Sequence, residues 1–349
     1  MRAQSVLPVA LVLLLAAAAL AAQGTSEHDR AAFTRKAPAC TRFASTQGSD
    51  SANGTKRRPF RSAQRLADSL RPGQTGCLRG GTYRDEGEEF VVMFHRAGRP
   101  GAPITIRSHP GERARLVGTV YVPRGSNHVT VSNVTLEGAG GDSTLKVNAA
   151  DVVVESSDIT NAWRGVNCII LGSNQGWGAA VRPTIRGNRI HECGSQENAS
   201  LEHGLYAANA VGGQIVGNRI WNVAGYAMQL YPNSQRVRVA RNVVDGGEPS
   251  VRGGIVVGGD DEYASNGNVI EHNVIAYART WNITSAWEGS VGHGNVVRSN
   301  CVWGGGRGNI HTEGGLVASR NRVADPRFVD RARRDYRLAT RSRCRAILG

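Results

Sequence analysis

The chain contains 349 residues, of which 44 are glycine and 6% are aromatic, and its formal net charge is +14. Long β-branched stretches exclude a disordered chain, because such stretches can bury apolar surface. A basic protein outside the cell attracts polyanions such as uronate or sulfated polysaccharide, although an arginine-rich composition alone gives the same charge. No base-reading motif accompanies the charge, so nucleic acid is not an expected partner.

Residues 1–23 are predicted to be a secretory signal peptide. Arg2 supplies the positive end, the stretch from Val6 to Leu20 the apolar region, and Ala19-Leu20-Ala21 a cleavage site of small residues. The stretch is short for a membrane span, and no other apolar run approaches that length. We therefore expect an exported protein without a membrane segment. A flexible segment is predicted over residues 24–39 and a single domain over residues 40–349.

A helix is predicted within the first part of this domain, residues 40–76. After Pro59, apolar residues recur at helical spacing from Phe60 to Leu70, and Gly73 follows the last of them. A repeat protein needs its open end covered, so we interpret this helix as a cap.

Between residue 77 and about residue 325, a short pattern recurs: a turn residue, usually asparagine, then any residue, then Val, Ile or Leu. The turn residues of the eight copies are Asn133 (with one extra residue), Ser157, Asn188, Asn218, Asn242, Asn273, Asn300 and Asn321. The copies lie 21 to 31 residues apart, which is the period of a solenoid. Short β-branched runs precede them, as strands require. The pattern predicts an all-β protein, a parallel β-helix with coils ~4.8 Å apart.

The repeated asparagines have two predicted roles. Asparagine tolerates a left-handed backbone, so each is expected to form the turn between two strands. Identical amides stacked coil over coil are also expected to hydrogen-bond as a ladder.

A further strand of each coil is predicted upstream of each asparagine, with side chains alternating between core and surface. The inward set is Leu205, Met228, Leu230, Ile255, Val257, Ile283 and Ile310. One outward column then contains Lys146, Tyr206, Gln229, Val256, Thr284 and His311. Its neighbour contains Asn148, Ala208, Tyr231, Gly258, Ala286 and Glu313.

This outward face is the predicted binding groove. Aromatic rings can stack on sugar rings, while amides and guanidinium groups bind hydroxyls and carboxylates. The predicted binding residues are Lys146, Gln229, Tyr231, Arg252, Asn282, Asn309, His311 and Glu313. The alternative is an ordinary solvated β-face, where Tyr, Thr and Gln are common.

The last segment, residues 326–349, is predicted to close the other end of the stack through Phe328 and Tyr336. Six cysteines fit an oxidising compartment and allow 15 pairings. The order of the coils favours Cys40–Cys77, Cys168–Cys193 and Cys301–Cys344, and the alternative is several free, buried thiols.

Three stretches of the chain resemble one protein family. Gly48-Ser49-Asp50, Gly81-Thr82-Tyr83 and the Asp325-Pro326-x-Phe328 tail, together with the asparagine copies, resemble secreted bacterial right-handed parallel β-helix proteins of the pectate-lyase-like superfamily. The resemblance covers about residues 40–349. It implies a right-handed solenoid acting on an acidic polysaccharide, and we expect a monomer. The superfamily includes polysaccharide lyases, uronate epimerases, glycoside hydrolases and non-catalytic proteins.

The segment Glu202-His203-Gly204-Leu205-Tyr206 is the predicted catalytic segment. Histidine and tyrosine can divide proton removal and proton donation at a uronate, so His203 and Tyr206 are predicted to be base and acid, in unassigned order, of a β-elimination. Gln229, Arg252 or a bound calcium ion would neutralise the developing charge. The alternative is that His203 is a turn residue bonded to Glu202 and Tyr206 a stacking residue.

Other activities have weaker signals. A calcium cage needs six to eight oxygens, and Asp260-Asp261-Glu262 is the nearest cluster, on a single loop. An inverting hydrolase needs two separated carboxyls, and parts of the polygalacturonase pattern are absent. A lyase is therefore favoured, with a non-catalytic polysaccharide-binding solenoid as the alternative, followed by an inverting hydrolase or a uronate epimerase.

Overall fold

A computed structural model describes residues 38–348, except residues 85, 86, 88, 196 and 286–289. The predicted signal peptide, nearly all of the predicted flexible segment and Ala286 lie outside the described residues. The described chain winds through three parallel sheets, A, B and C, in that order in each coil.

Each sheet contains one strand from most coils, and the strands are numbered in chain order. Sheet A contains β1 (Arg42–Ala44), β2 (Thr75–Leu78), β5 (Ile104–Ser108), β8 (Val129–Ser132), β11 (Val153–Glu155), β15 (Thr184–Arg186), β18 (Gln214–Val216), β21 (Arg238–Ala240), β24 (Val269–Glu271), β27 (Asn295–Arg298) and β30 (Leu316–Ser319). Sheet B contains β3 (Gly81–Arg84), β6 (Ala114–Val117), β9 (Thr135–Glu137), β12 (Asp158–Thr160), β16 (Arg189–Cys193), β19 (Arg219–Val223), β22 (Val243–Asp245), β25 (Val274–Ala276), β28 (Cys301–Trp303) and β31 (Arg322–Val323). Sheet C contains β4 (Phe90–Met93), β7 (Thr119–Val122), β10 (Leu145–Val147), β13 (Ile169–Leu171), β17 (Leu205–Val211), β20 (Tyr226–Gln235), β23 (Gly253–Val257), β26 (Trp281–Ser285) and β29 (Gly308–His311), with β14 (Ala180–Val181) paired beside β17.

The core lies inside the coil, between the three sheets. Branched aliphatic side chains fill it because every second residue of each strand points inward. Six of the seven side chains predicted to point inward are fully buried, and Ile310 packs against the same core from the last strand of sheet C. The predicted all-β parallel solenoid and its alternation are therefore confirmed.

An amide ladder runs along the corner between sheets A and B, as predicted. The Nδ2 of each ladder asparagine donates to the Oδ1 of the next at 2.9–3.0 Å. The same Oδ1 accepts the backbone N–H of the preceding ladder asparagine at 2.9–3.0 Å. The six members are Asn188, Asn218, Asn242, Asn273, Asn300 and Asn321. Each amide therefore satisfies polar groups that its own corner would otherwise bury without partners.

The predicted left-handed asparagine is wrong for the ladder members. The left-handed conformation belongs to the residue just before each of them, for example Gly187 at φ +62° and Arg241 at φ +54°. That residue turns the chain, so the asparagine that follows can point its amide into the core. In the first copy the extra residue shifts this pattern: Asn133 takes φ +52°, and the buried Val134 occupies the ladder position.

The predicted cap helix is present as α1 (Ala63–Ser69). Ser62 begins it, with its hydroxyl accepting the backbone N–H of Arg65 at 3.1 Å. Its buried face, Ala63, Leu66 and Ala67, packs against β1, β2 and β4. Sheet A starts earlier than the predicted first coil at residue 77, because β1 already pairs with β2.

The C-terminal tail lies on the outer face of sheet B, which differs from the predicted closure of the end of the stack. It contains the hairpin of β32 (Phe328–Asp330) and β33 (Asp335–Leu338) and the short helix α2 (Arg345–Leu348). Its apolar side chains cover Trp221, Val243 and Val274, which point outward from sheet B. These outward apolar residues are the physical reason for the tail's position, since exposed they would form an apolar patch.

Three disulfides are formed, with the predicted pairing Cys40–Cys77, Cys168–Cys193 and Cys301–Cys344. The third joins the tail to sheet B. Such bonds persist in oxidising compartments. No helix in the described part of the chain has the length and hydropathy of a membrane span.

Candidate functional site on sheet C

The predicted outward column is present on sheet C. The strand register places Lys146, Ile170, Tyr206, Gln229, Val256, Thr284 and His311 side by side on successive strands. Tyr121 extends the column by one coil on the N-terminal side. The adjacent predicted column is less regular, because a bulge in the β17–β20 pairing places Tyr231 and Pro232 opposite Ala208 alone.

The column is accessible only in part. Lys146, Ile170 and Tyr206 are half-buried. Gln229 is 3% exposed, and Val256 and Thr284 are buried as well. A polymer lying on this face would therefore contact the stretch from Lys146 to Tyr206, with Gln229 beneath the surface.

His203 lies next to this column but is buried, with 3% of its surface exposed. Its Nδ1 accepts the backbone N–H of Tyr226 at 3.1 Å. Burial lowers the pKa of His203 to about 3, and the positive charge of Arg252 also lowers it. A hydrogen bond with the Gln229 side chain acts in the opposite direction. The ring is therefore neutral, with Nδ1 occupied and Nε2 carrying the proton. This arrangement suits a residue that positions Gln229 better than the predicted role of a base that takes a proton from substrate. The ring contacts Tyr226 and Gln229, whereas the alternative interpretation placed a bond to Glu202.

Tyr206 is the member of the predicted pair that reaches the accessible surface. Burial raises its pKa to about 12, and the neighbouring Tyr231 and Asp260 add to this effect. The phenol therefore keeps its proton at neutral pH and can donate it. The rings of His203 and Tyr206 meet edge to face with centroids 5.7 Å apart, so the two predicted residues are brought together.

Arg252 supplies positive charge near His203. Its charge contributes to the low pKa of His203, and it also acts on Tyr226. Its Nε is buried without a hydrogen-bond partner. No carboxylate among the described residues lies within ion-pair distance of Arg252, so its guanidinium group is available for an anion.

Asn282 and Asn309 do not face the groove. Asn282 is fully buried; its Nδ2 donates to Asn309 Oδ1 at 2.8 Å and to the carbonyl of Trp303 at 3.0 Å. Its Oδ1 accepts the backbone N–H of Ala278. The pair forms a short amide ladder at the corner before sheet C, because alternation is interrupted where the chain turns. We therefore leave both out of the proposed binding set.

His311 and Glu313 form a separate group at the far end of sheet C. His311 stacks on Trp281 with ring centroids 4.8 Å apart, and its Nε2 lies 4.0 Å from Glu313 Oε1. Both are accessible. Buried Val256 and Thr284 separate them from Tyr206 along the column.

Lys146 lies in the predicted outward column, among a carboxylate and three aromatic rings. Its Nζ pairs with Asp142 at 2.8 Å and lies 5.4–5.9 Å from the ring centroids of Phe90, Tyr121 and Trp177. Three aromatic residues thus surround the ammonium group. The inward and outward alternation along strands could not predict the contribution of Trp177, because Trp177 lies on a loop. It could not predict that of Asp142 either, because Asp142 lies before the strand that contains Lys146.

The donor set for calcium does not fit at Asp260-Asp261-Glu262. Asp260 Oδ1 accepts the backbone N–H groups of Glu262 and Tyr263, which makes this a hydrogen-bonded turn. Within the described ranges no group of three or more His, Cys, Asp or Glu side chains is arranged to hold a metal ion.

Comparison with known proteins agrees with this architecture. Residues 120–287 match the sequence profile described as right handed beta helix region. The protein is a right-handed parallel β-helix with the pectate-lyase-like fold. No curated protein matches the sequence.

Solved structures of this fold resemble the β-helix protein along most of its length. Pectate lyase Pel9A is 15% identical with a TM-score of 0.62, covering 87% of this chain and 91% of its own. An alginate lyase from Paenibacillus sp. is 17% identical with a TM-score of 0.55, covering 74% of this chain and 91% of its own. A rhamnogalacturonan lyase is 14% identical with a TM-score of 0.52, covering 77% and 75%. At these identities the likeness establishes the fold.

Proposed function

We propose that the β-helix protein is exported and acts on a uronate-containing polysaccharide bound along sheet C, by lyase-type β-elimination. The observation that carries the proposal is the edge-to-face contact between Tyr206, a protonated phenol at the accessible surface, and His203. The charge of Arg252, whose buried Nε has no partner, acts on the same His203 ring. The similar solved structures support the same substrate class, since they are pectate, alginate and rhamnogalacturonan lyases.

The two residues have separate roles in this proposal. β-Elimination removes the proton next to a carboxyl group, so negative charge develops there and needs a positive partner. Arg252 is that partner. Solvent water takes the proton next to the carboxyl group, and Tyr206 donates its phenolic proton to the departing glycosidic oxygen as the C–O bond breaks and the C=C bond forms. The Tyr206 phenolate then regains a proton from solvent. His203 holds Gln229 below them and is a positioning residue.

The test combines turnover with binding. The protein is incubated with polygalacturonate, alginate and rhamnogalacturonan, and unsaturated ends are followed by ultraviolet absorbance. Tyr206→Phe should lower turnover by about 100-fold or more while polymer binding persists, because it removes only the acidic proton. Arg252→Gln should weaken both. Arg320→Gln removes an equal charge from an exposed position on the opposite part of the coil and should change neither.

Each other outcome points to a defined alternative. Unchanged turnover in Tyr206→Phe would remove this tyrosine from the mechanism. Binding without unsaturated ends on any polymer would favour a non-catalytic solenoid. New reducing ends without unsaturation would indicate a hydrolase, and a changed uronate composition without cleavage an epimerase.

A further inference from the structure

A hairpin between β13 and β14 carries a tryptophan over the N-terminal half of sheet C. The hairpin is closed by the Ser173 backbone N–H donating to the Gly178 carbonyl at 3.0 Å. Asn148 Nδ2 donates to the same Gly178 carbonyl at 2.8 Å, and Asn209 Nδ2 to the Ser173 carbonyl at 3.2 Å. Asn148, directly after β10, and Asn209, within β17, thus fix both ends of the hairpin.

Trp177, near the end of this hairpin, is 57% exposed. Its ring meets Tyr121 edge to face with centroids 6.5 Å apart, and the Lys146 ammonium lies 5.7 Å from its centroid. Tyr121 lies beneath and is 4% exposed. Trp177 is therefore held in place while much of its ring remains in contact with solvent.

The Lys146 ammonium has donors to spare at this position. An ammonium group carries three N–H donors, and Asp142 takes one of them. A flat indole beside a partly satisfied ammonium group matches a sugar that presents an apolar ring face and a carboxylate. Lys146 stands two strands before Tyr206 in the register, about 10 Å along the axis.

We propose that Trp177 and Lys146 form a binding subsite for one uronate residue of the polymer, two coils on the N-terminal side of Tyr206. The subsite rests on the proposed function, because it would extend the polymer-binding site of Tyr206 and Arg252 along sheet C. Affinity should then rise with oligomer length until the chain reaches from Tyr206 to Trp177. Trp177 stacks on the sugar ring and Lys146 binds its carboxylate.

The test uses short and long oligomers of galacturonate and of mannuronate, with calorimetry and quenching of tryptophan fluorescence. Trp177→Ala should weaken binding of the long oligomers about tenfold and remove most of the quenching. It should leave the shortest bound oligomers unaffected. Trp177→Phe keeps an aromatic face and should restore part of the affinity. Trp303→Ala, at a tryptophan 39% exposed on sheet B, is the matched control and should bind like the wild type.

The outcomes separate this subsite from the proposed reaction. Equal affinity of Trp177→Ala and wild type for long oligomers, with turnover still dependent on Tyr206, would overturn the subsite alone. A tenfold loss in Trp177→Ala without any unsaturated product would support the subsite and count against the lyase. If the wild type binds neither the galacturonate nor the mannuronate oligomers, the subsite and the proposed reaction are both overturned.

Discussion

The corner between sheets A and B and the outer face of sheet C are built from the same coils, but they follow different rules. At the corner, one residue type repeats from Asn188 to Asn321 with nearly identical hydrogen bonds. On the outer face of sheet C, neighbouring coils present lysine, isoleucine and tyrosine in turn, all of them half-buried.

The difference follows from burial. A buried amide must find partners, and stacking with its own copies supplies donors and acceptors in the same geometry at each coil. A surface facing solvent has no such requirement, so its residues are free to vary with the ligand. Regularity therefore marks the structural part of this solenoid, and irregularity marks the part proposed to bind substrate.

The strongest test of this contrast is Asn242→Ala, within the ladder. The substitution removes the acceptor of the Asn218 amide and backbone N–H and the donor to the Ile215 carbonyl. We expect the free energy of unfolding to fall by about 4 kcal/mol, since each buried unsatisfied group costs ~1–3 kcal/mol. Urea unfolding followed by circular dichroism measures the change.

Asn321→Ala is the matched control for that experiment. Asn321 is the last ladder member and is half-buried, so water can replace part of what it supplies. Its loss should be clearly smaller than that of Asn242→Ala. Equal losses of unfolding free energy in the two variants would mean that burial does not determine how much a ladder amide stabilises the fold.

A second test concerns the buried histidine below the sheet C face. The folded pKa of His203, about 3, lies below the unfolded value near 6.5. Its contribution to stability is therefore complete above pH 6.5 and is lost as pH falls toward 3. Between pH 6.5 and 4.5 the wild type should lose about 2 kcal/mol through this group.

His203→Gln should flatten that dependence by the same amount when unfolding is measured at both pH values. The carboxylates contribute equally to wild type and variant, so the difference isolates the histidine. His293→Gln, at an exposed histidine, should follow the wild-type curve. Parallel curves for wild type and His203→Gln would contradict a neutral, buried ring.

The smallest expected effect belongs to an exposed ion pair on sheet A. The Arg186 side chain, 53% exposed, pairs with Glu155 of the preceding coil. Arg186→Gln should change the free energy of unfolding by less than about 1 kcal/mol, because solvent screens such pairs. A loss comparable to that of Asn242→Ala would show that regular surface pairs also stabilise the stack.

Sequence alone predicted the parts of the molecule where local pattern determines geometry. Period-two alternation gave the inward set and the register from Lys146 to His311, and the spacing of copies gave the ladder. The order of the coils gave the three disulfides. Each of these depends on repetition along strands, which a single chain displays directly.

The remaining features depend on how the chain turns. Asn282 follows the outward parity of Tyr206, but a corner directs its amide inward. His203 precedes its strand, so its burial depends on Tyr226 and Gln229 of the next coil. Trp177 stands on a hairpin whose direction no strand pattern specifies. The tail lies on sheet B because outward apolar residues such as Val274 would otherwise be exposed. In the sequence, these residues do not differ from other strand residues.

The amide–amide bonds of the ladder all point the same way: from Asn188 to Asn300, each Nδ2 donates to the Oδ1 of the next asparagine toward the C-terminal end. An inserted coil with its own asparagine would find an amide donor in the preceding coil and an amide acceptor in the following coil. The ladder is thus modular. The length of the solenoid can change during evolution or engineering by whole coils, without change to the hydrogen bonds between the coils.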